Sequence, residues 1–165
     1  MTIIRCVAGT ATSKYLRLRE ACLSVRLVKK SHGVNRWMCL RRTRHVLKNA
    51  PLSLGDCHCI DCRRSAGAPY VTWGSVPRED LHVTKGEPRK VVHANRIRSF
   101  AACCGTHLFF EDSNDSDTVD VTIASLDDPA PFAPQKAIWL EDKLPWVMID
   151  KSLPIFQKSP KSSAT

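Results

Sequence analysis

The sequence predicts a small all-β domain, and three observations carry the prediction. Short runs rich in valine, isoleucine, threonine and aromatic residues recur from residue 70 to residue 124. Glycine- and proline-bearing turns separate them. Little of the chain beyond residue 46 repeats its apolar side chains with a helical period. At 165 residues and 43% hydrophobic content, the chain suits one domain with a modest core. No apolar run approaches the roughly 18 residues that cross a bilayer, so no membrane partner is expected.

Residues 1–45 show no sustained pattern. Arg5, Lys14, Arg17, Arg19, Arg26, Lys29 and Lys30 are scattered among apolar side chains. Residues 16–28 can form a basic amphipathic helix for a membrane surface or a partner, or the whole stretch is a poorly ordered leader. From Val46 the character changes. Residues 51–55 lead into a cysteine cluster, and residues 63–68 form a polar loop or a turn of helix. Tyr70-Val71-Thr72-Trp73-Gly74-Ser75-Val76 reads as a strand. Residues 81–84 make a second, ended by Lys85-Gly86-Glu87-Pro88, and residues 90–92 and 97–100 make two more. Gly105 marks a tight turn before residues 106–111. Residues 112–117 are an acidic loop, and residues 119–124 alternate as a half-buried strand does. Prolines at 129, 131, 134, 145 and 154 punctuate the rest, and residues 158–165 read as a loose tail.

The net charge of +9 is unevenly spread. Residues 1–45 hold 11 Lys/Arg against one acid, Glu20, whereas the remainder holds 14 bases and 15 acids. A near-neutral body has no footprint for a polyanion, so nucleic-acid binding would rest on the basic segment alone. Eight cysteines are many for such a chain. Met1 to Lys30 has no apolar core followed by a cleavage site, though its composition faintly resembles a mitochondrial transit peptide. Cysteines one or two residues apart bridge one another poorly but converge well on a metal. The expectation is a reducing, cytoplasmic setting.

The strongest chemical signal is Asp56-Cys57-His58-Cys59-Ile60-Asp61-Cys62-Arg63-Arg64. Cys57, Cys59 and Cys62 can reach one zinc ion (Zn2+) if the backbone turns tightly, and three protein ligands leave a fourth position open, as catalytic zinc does. Arg63 and Arg64 beside them can lower thiol pKa values or receive an anionic substrate. The competing reading is buried free cysteines or an oxidised pair. His58 is expected to orient its neighbours or to face solvent. At Phe100-Ala101-Ala102-Cys103-Cys104-Gly105-Thr106, one cysteine can ligate while its neighbour packs, or both belong to the core.

The run Cys57-His58-Cys59-Ile60-Asp61-Cys62-Arg63-Arg64-Ser65-Ala66-Gly67-Ala68-Pro69-Tyr70 resembles the central motif of the glutathione-dependent formaldehyde-activating family, which includes the centromere protein V relatives. Gly86-Glu87-Pro88, Arg98-Ser99-Phe100, Cys104-Gly105-Thr106, Ser125-Leu126-Asp127-Asp128-Pro129, Ile138-Trp139, Lys143-Leu144-Pro145-Trp146 and Leu153-Pro154 continue the resemblance in order, over residues 46–157. It implies an Mss4-like β-tent of short antiparallel strands around zinc-binding cysteine loops, with two zinc sites. The open, catalytic one matches Cys57, Cys59 and Cys62. The structural one is normally held by an upstream Cys-x-Cys-Gly and a downstream Cys-x-x-Cys-Gly. Here Ala101 stands at the first downstream cysteine and Cys104 at the second, and Met38-Cys39-Leu40-Arg41 stands at the upstream pair. Cys104 is the in-register ligand, with Cys39 or Cys103 as substitutes.

The activity the resemblance implies is that of a zinc-dependent carbon–sulfur lyase. Its substrate is a small thiol adduct such as S-hydroxymethylglutathione, formed from glutathione and formaldehyde. Catalytic work falls to Cys57, Cys59, Cys62 and Arg63. A non-catalytic zinc-binding module is the alternative, and nucleic-acid binding through the basic segment a second one.

Residues 1–45 are expected to lie outside the native β-tent as a segment translated from a shifted frame. Trp37 and Met38 have single codons and the Cys39 codon begins TG, so reading one base later forces Gly-Cys. Suitable codons at Arg36, Leu40, Arg41 and Arg42 extend this to the missing Gly-Gly-Cys-x-Cys-Gly. Sequencing of the gene is expected to spell that motif one base out of frame. Codons that forbid the second cysteine would overturn the idea.

Overall fold

The structure is a computed structural model and describes residues 42–115 and 117–160. Cys39, the possible amphipathic helix over 16–28 and nearly all of the basic segment lie outside the described residues. The expected onset at residue 46 falls inside the first strand, β1 (Arg44–Leu47). Eight strands follow it: β2 (Ser53–Cys57), β3 (Val71–Pro77), β4 (Leu81–Lys85), β5 (Arg89–His93), β6 (Arg96–Phe100), β7 (His107–Asp112), β8 (Thr118–Thr122) and β9 (Ala137–Ile138). One α-helix, α1 (Ile60–Ala66), lies between β2 and β3. The all-β expectation agrees with this architecture.

Seven strands form one sheet in the order β5-β6-β7-β8-β3-β2-β9, and β1 pairs with β4 in a separate ribbon. Every pairing is antiparallel except β2 with β9. Alternation along the strands divides the apolar side chains between the two faces of the sheet. Val76, Phe109, Val119 and Val121 form one cluster, which Leu47 of β1 and Leu81 of β4 cover. Cys57, Cys62, Val71 and Trp73 form the other, with Phe110 and Trp139 packed against it. The ribbon closes one face, and the cysteine loop with α1 closes the other.

The strands expected from composition are found, with small changes at their ends. The expected strand over 119–124 stops at Thr122 because a 3-10 turn, Ile123–Ser125, takes over. That turn drives Ile123 beneath β3, where its Cδ1 lies 2.6 Å from the point a side chain on Gly74 would occupy. Two strands carry no β signal of their own. Ser-Leu-Gly-Asp-Cys of β2 has no β-branched residue, and β9 is an Ala-Ile pair in a proline-rich stretch. Tertiary pairing makes them strands: β2 is held between β3 and β9, and β9 is flanked in turn by the backbone of residues 154–156. Helix α1 starts earlier than the turn expected over 63–68, because Cys59 caps it.

The turn between β4 and β5 depends on Gly86. Its φ is +69°, and a Cβ there would stand 2.1 Å from the Arg42 carbonyl oxygen. Backbone cannot yield as a flexible side chain does. Gly86→Ala is therefore expected to cost more than about 2 kcal/mol of stability, from left-handed strain and displacement of the chain at Arg42. Chemical denaturation measures this, and a loss under about 0.5 kcal/mol would contradict it.

Candidate metal centre

Cys57 is the last residue of β2, opposite Val71 of β3 on one side and Ile138 of β9 on the other. The pairing with β9 runs one residue further, since the His58 amide donates to the Ile138 carbonyl at 3.0 Å. Then the chain turns. Cys59 occupies the N-cap of α1, and its Sγ accepts a hydrogen bond from the Cys62 amide at 3.3 Å. A cap is usually an oxygen side chain that satisfies an orphan helix amide. Here sulfur does so, and the same turn brings Cys62 back beside Cys57. The three Sγ atoms all lie within 4.8 Å of one another. Zinc–thiolate bonds of about 2.3 Å need sulfurs about 3.8 Å apart, so a small contraction would seat an ion. The donor set is soft, buried or half-buried, and fits a thiophilic metal. Among the described residues it is the one group of three or more such donors.

Charge within the trio is polarised. Hydrogen bonds from the Cys57 and Cys62 thiols, joined by the amides of Cys62 and Asp61, hold the Cys59 thiol down at about 2. The hydrogen bonds that Cys57 gives to Cys59 and Cys62, together with burial, push its own thiol far up. The three thiols titrate together, with the Cys59 sulfur drawn towards the thiolate and the Cys57 sulfur towards the thiol, and a bound cation would displace the protons that remain.

Side chains outside the trio fix the loop. Arg63 Nε donates to the His58 carbonyl at 3.1 Å, tying α1 to the peptide between the first two thiols. Asp142 accepts from the Ile60 amide at 3.4 Å, and Arg96 pairs with Asp61. Arg63 is half-buried, and Arg64 is exposed on the helix. The solvent-facing alternative for His58 is corrected: the residue is 1% exposed, with its ring 5.0 Å from that of Tyr70. Extended backbone sends it to the face opposite its two cysteine neighbours.

Cys103 and Cys104 lie on a turn away from the trio. Cys103 packs against the Val76–Val121 cluster, and Cys104 is exposed, its Sγ 3.2 Å from Thr106 Oγ1. Ala101, at the expected cysteine position, is 1% exposed. Backbone hydrogen bonds from Gly105 to Ala101 at 2.8 Å and from Ala101 to Thr106 at 2.8 Å close the turn. The second metal set expected around Cys104 is not gathered among the described residues, and Cys39 lies outside them.

Two residues near the trio carried no functional signal in the sequence. Trp73 stood out only as a strand residue, and His107 as part of the run after Gly105. Trp73 packs with Cys57 and Cys62, and its ring meets His107 edge-on at 5.0 Å. His107 also stacks on Phe100 with ring centres 4.7 Å apart.

A short all-β domain whose helix-capping loop presents three convergent thiols defines a class of small β protein whose cysteine cluster could hold a metal ion. The chain belongs to the glutathione-dependent formaldehyde-activating enzyme family, whose model matches residues 22–142. The match begins within the basic segment, ahead of residue 46. An Aspergillus terreus protein with the provisional name glutathione-dependent formaldehyde-activating enzyme is 41% identical over 56 residues, 32% of this chain and 29% of that protein. The matched stretch thus spans under a third of that relative's length. A crystal structure of a Rhodobacter sphaeroides protein aligns with a TM-score of 0.44 and 18% identity, over 52% of this chain and 81% of the other.

Burial, with the charge of Arg98 adding, lowers the His107 pKa from 6.5 to about 4. Between those values the unfolded chain binds a proton that the folded chain refuses, so stability rises with pH across the window. The contribution is complete above about pH 6.5 and is lost as pH falls towards 4. The difference in unfolding free energy between the natural chain and His107→Phe is expected to grow from pH 4 to pH 6.5. Parallel stability–pH curves would contradict it.

Proposed function

We propose that the chain is a zinc-dependent enzyme of the carbon–sulfur lyase type, acting on a small thiol adduct such as S-hydroxymethylglutathione. The convergence of the Cys57, Cys59 and Cys62 sulfurs within 4.8 Å carries this reading, and family membership supports it. A zinc ion held by those three thiolates would supply an open position for a substrate thiolate. The chain's own contributions are three. Cys59, whose thiol is drawn down by hydrogen bonds from its neighbours and the helix amides, gives up its proton most readily of the three to a cation. Arg63 keeps the loop closed through the His58 carbonyl. Arg64, exposed beside it, is available to a glutathione carboxylate, as are the Arg63 nitrogens not engaged with His58. In the synthetic direction a C–S bond forms between the thiolate and the aldehyde carbon, and the carbonyl oxygen takes a proton. The reverse breaks the same bond. A cytoplasmic setting suits the five free cysteines among the described residues. No helix of the described residues is long and apolar enough to cross a membrane.

A non-catalytic zinc module is the second reading, favoured by Ala101 where a structural ligand is expected. Turnover separates the two. Purified protein is expected to hold about one zinc per chain, and Cys59→Ser to lose it, because a neutral hydroxyl binds zinc far less well than a thiolate. Formation of the glutathione–formaldehyde adduct, followed by NMR, is expected to speed up with the natural protein. It should fall to the uncatalysed rate in Cys62→Ser or after chelation. Undiminished zinc in Cys59→Ser, or full activity without metal, would sink the proposal. Metal binding with no turnover would leave the module.

A further inference from the structure

Helix α1 is seven residues long, too short to hold its shape unless the fold fastens it. Its ends are tied by Cys59 and Gly67, and its exposed side by the Asp61–Arg96 pair. The fastening on its inner side runs through Cys62. Ser65 Oγ donates to the Cys62 carbonyl at 3.0 Å and lies 3.4 Å from His107 Nδ1. A serine hydroxyl has one proton, and here the Cys62 carbonyl takes it. A hydrogen bond at the second contact therefore requires the tautomer with its proton on Nδ1. His107 Nε2 is buried with no hydrogen-bond partner. The ring itself is immobilised between Phe100, stacked at 4.7 Å, and Trp73, edge-on at 5.0 Å. Trp73 in turn packs with Cys57, Cys62 and Val71. Cys62 is thus held from two sides, at its carbonyl by Ser65, which His107 abuts, and by the packed Trp73 ring.

We infer that His107, Ser65 and Trp73 are positioning residues for the metal centre, aligning Cys62 with Cys57 and Cys59 before any ion arrives. The inference rests on the proposal that this trio binds metal. The cap at Cys59 and the Arg63–His58 hydrogen bond hold α1 from the loop side. The Ser65–His107 contact adds a hold from β7 on its inner face. Preorganisation of this kind lowers the cost of assembling a site and normally shows as tighter metal binding.

The test uses the full chain stripped of metal and titrated with Co(II) alone, whose thiolate charge-transfer and d–d absorption report the ligand geometry. Zinc affinity is then measured by competition with a chromophoric chelator. Ser65→Ala, His107→Phe and Trp73→Phe are each expected to weaken zinc about 10- to 100-fold and to shift the cobalt bands. Ser65→Thr, which keeps the hydroxyl, and His107→Asn, whose amide stands in for Nδ1–H, are expected to recover most of the affinity. The Ser65→Ala/His107→Phe double variant should lose little more than either single change, because the two act in series. Ser65→Ala removes one oxygen and keeps the experiment readable if His107→Phe does not fold. Affinities within twofold of the natural chain, with unchanged cobalt spectra, would overturn the inference while leaving the metal centre standing. A natural chain that takes up no Co(II) would remove the centre and the inference together.

Discussion

Three thiols can share a cation only if the backbone that bears them stops being free, and the rest of this structure depends on how that is done. Cys57 is immobilised first, by its place in β2 between two neighbouring strands. Cys59 is immobilised next by becoming a helix cap, and Cys62 follows one turn later on α1. Each step uses backbone hydrogen bonds that folding must satisfy in any case. The loop is therefore shaped by strand pairing and helix initiation, with the sulfurs placed as a consequence.

The two faces of the sheet divide the labour. One carries an aliphatic core of Val76, Val119 and Val121, roofed by the β1–β4 ribbon, and supplies stability. The other carries sulfur and aromatic side chains around Cys57, Cys62 and Trp73, and holds the cysteine cluster. β7 connects them. Phe109 belongs to the first face and meets His45 of β1 edge-on at 5.0 Å, while Phe110 and His107 belong to the surroundings of the thiols. A change in β7 therefore reaches both the core and the metal loop.

The turn over residues 101–105 makes a useful contrast. It has the glycine of a metal-binding knuckle, at φ +74°, and one of the expected cysteines. Yet Ala101 is sealed in the core, and backbone hydrogen bonds close the turn. Once a buried methyl group and three backbone bonds define such a corner, its shape needs no ion. Cys104, left at the surface, then has Thr106 as its partner.

The sequence by itself determined the all-β class, most of the strands and the three thiols, because each is a local property. β-branched runs, turn glycines and the Cys-x-Cys-x-x-Cys spacing are written within a few residues of one another. What it could not determine was set at a distance. β2 and β9 lack strand composition and exist because neighbours pair with them. His58 is buried because the pleat turns it away from the cysteines that flank it in the chain. Trp73 packs on Cys62 from 11 residues further on, and His107, 45 residues on, meets Trp73 and Ser65, a juxtaposition that no spacing rule in one sequence records. Local chemistry thus named the three thiols, whereas the side chains packed around them were chosen by sheet order and register, which only the packed structure fixes.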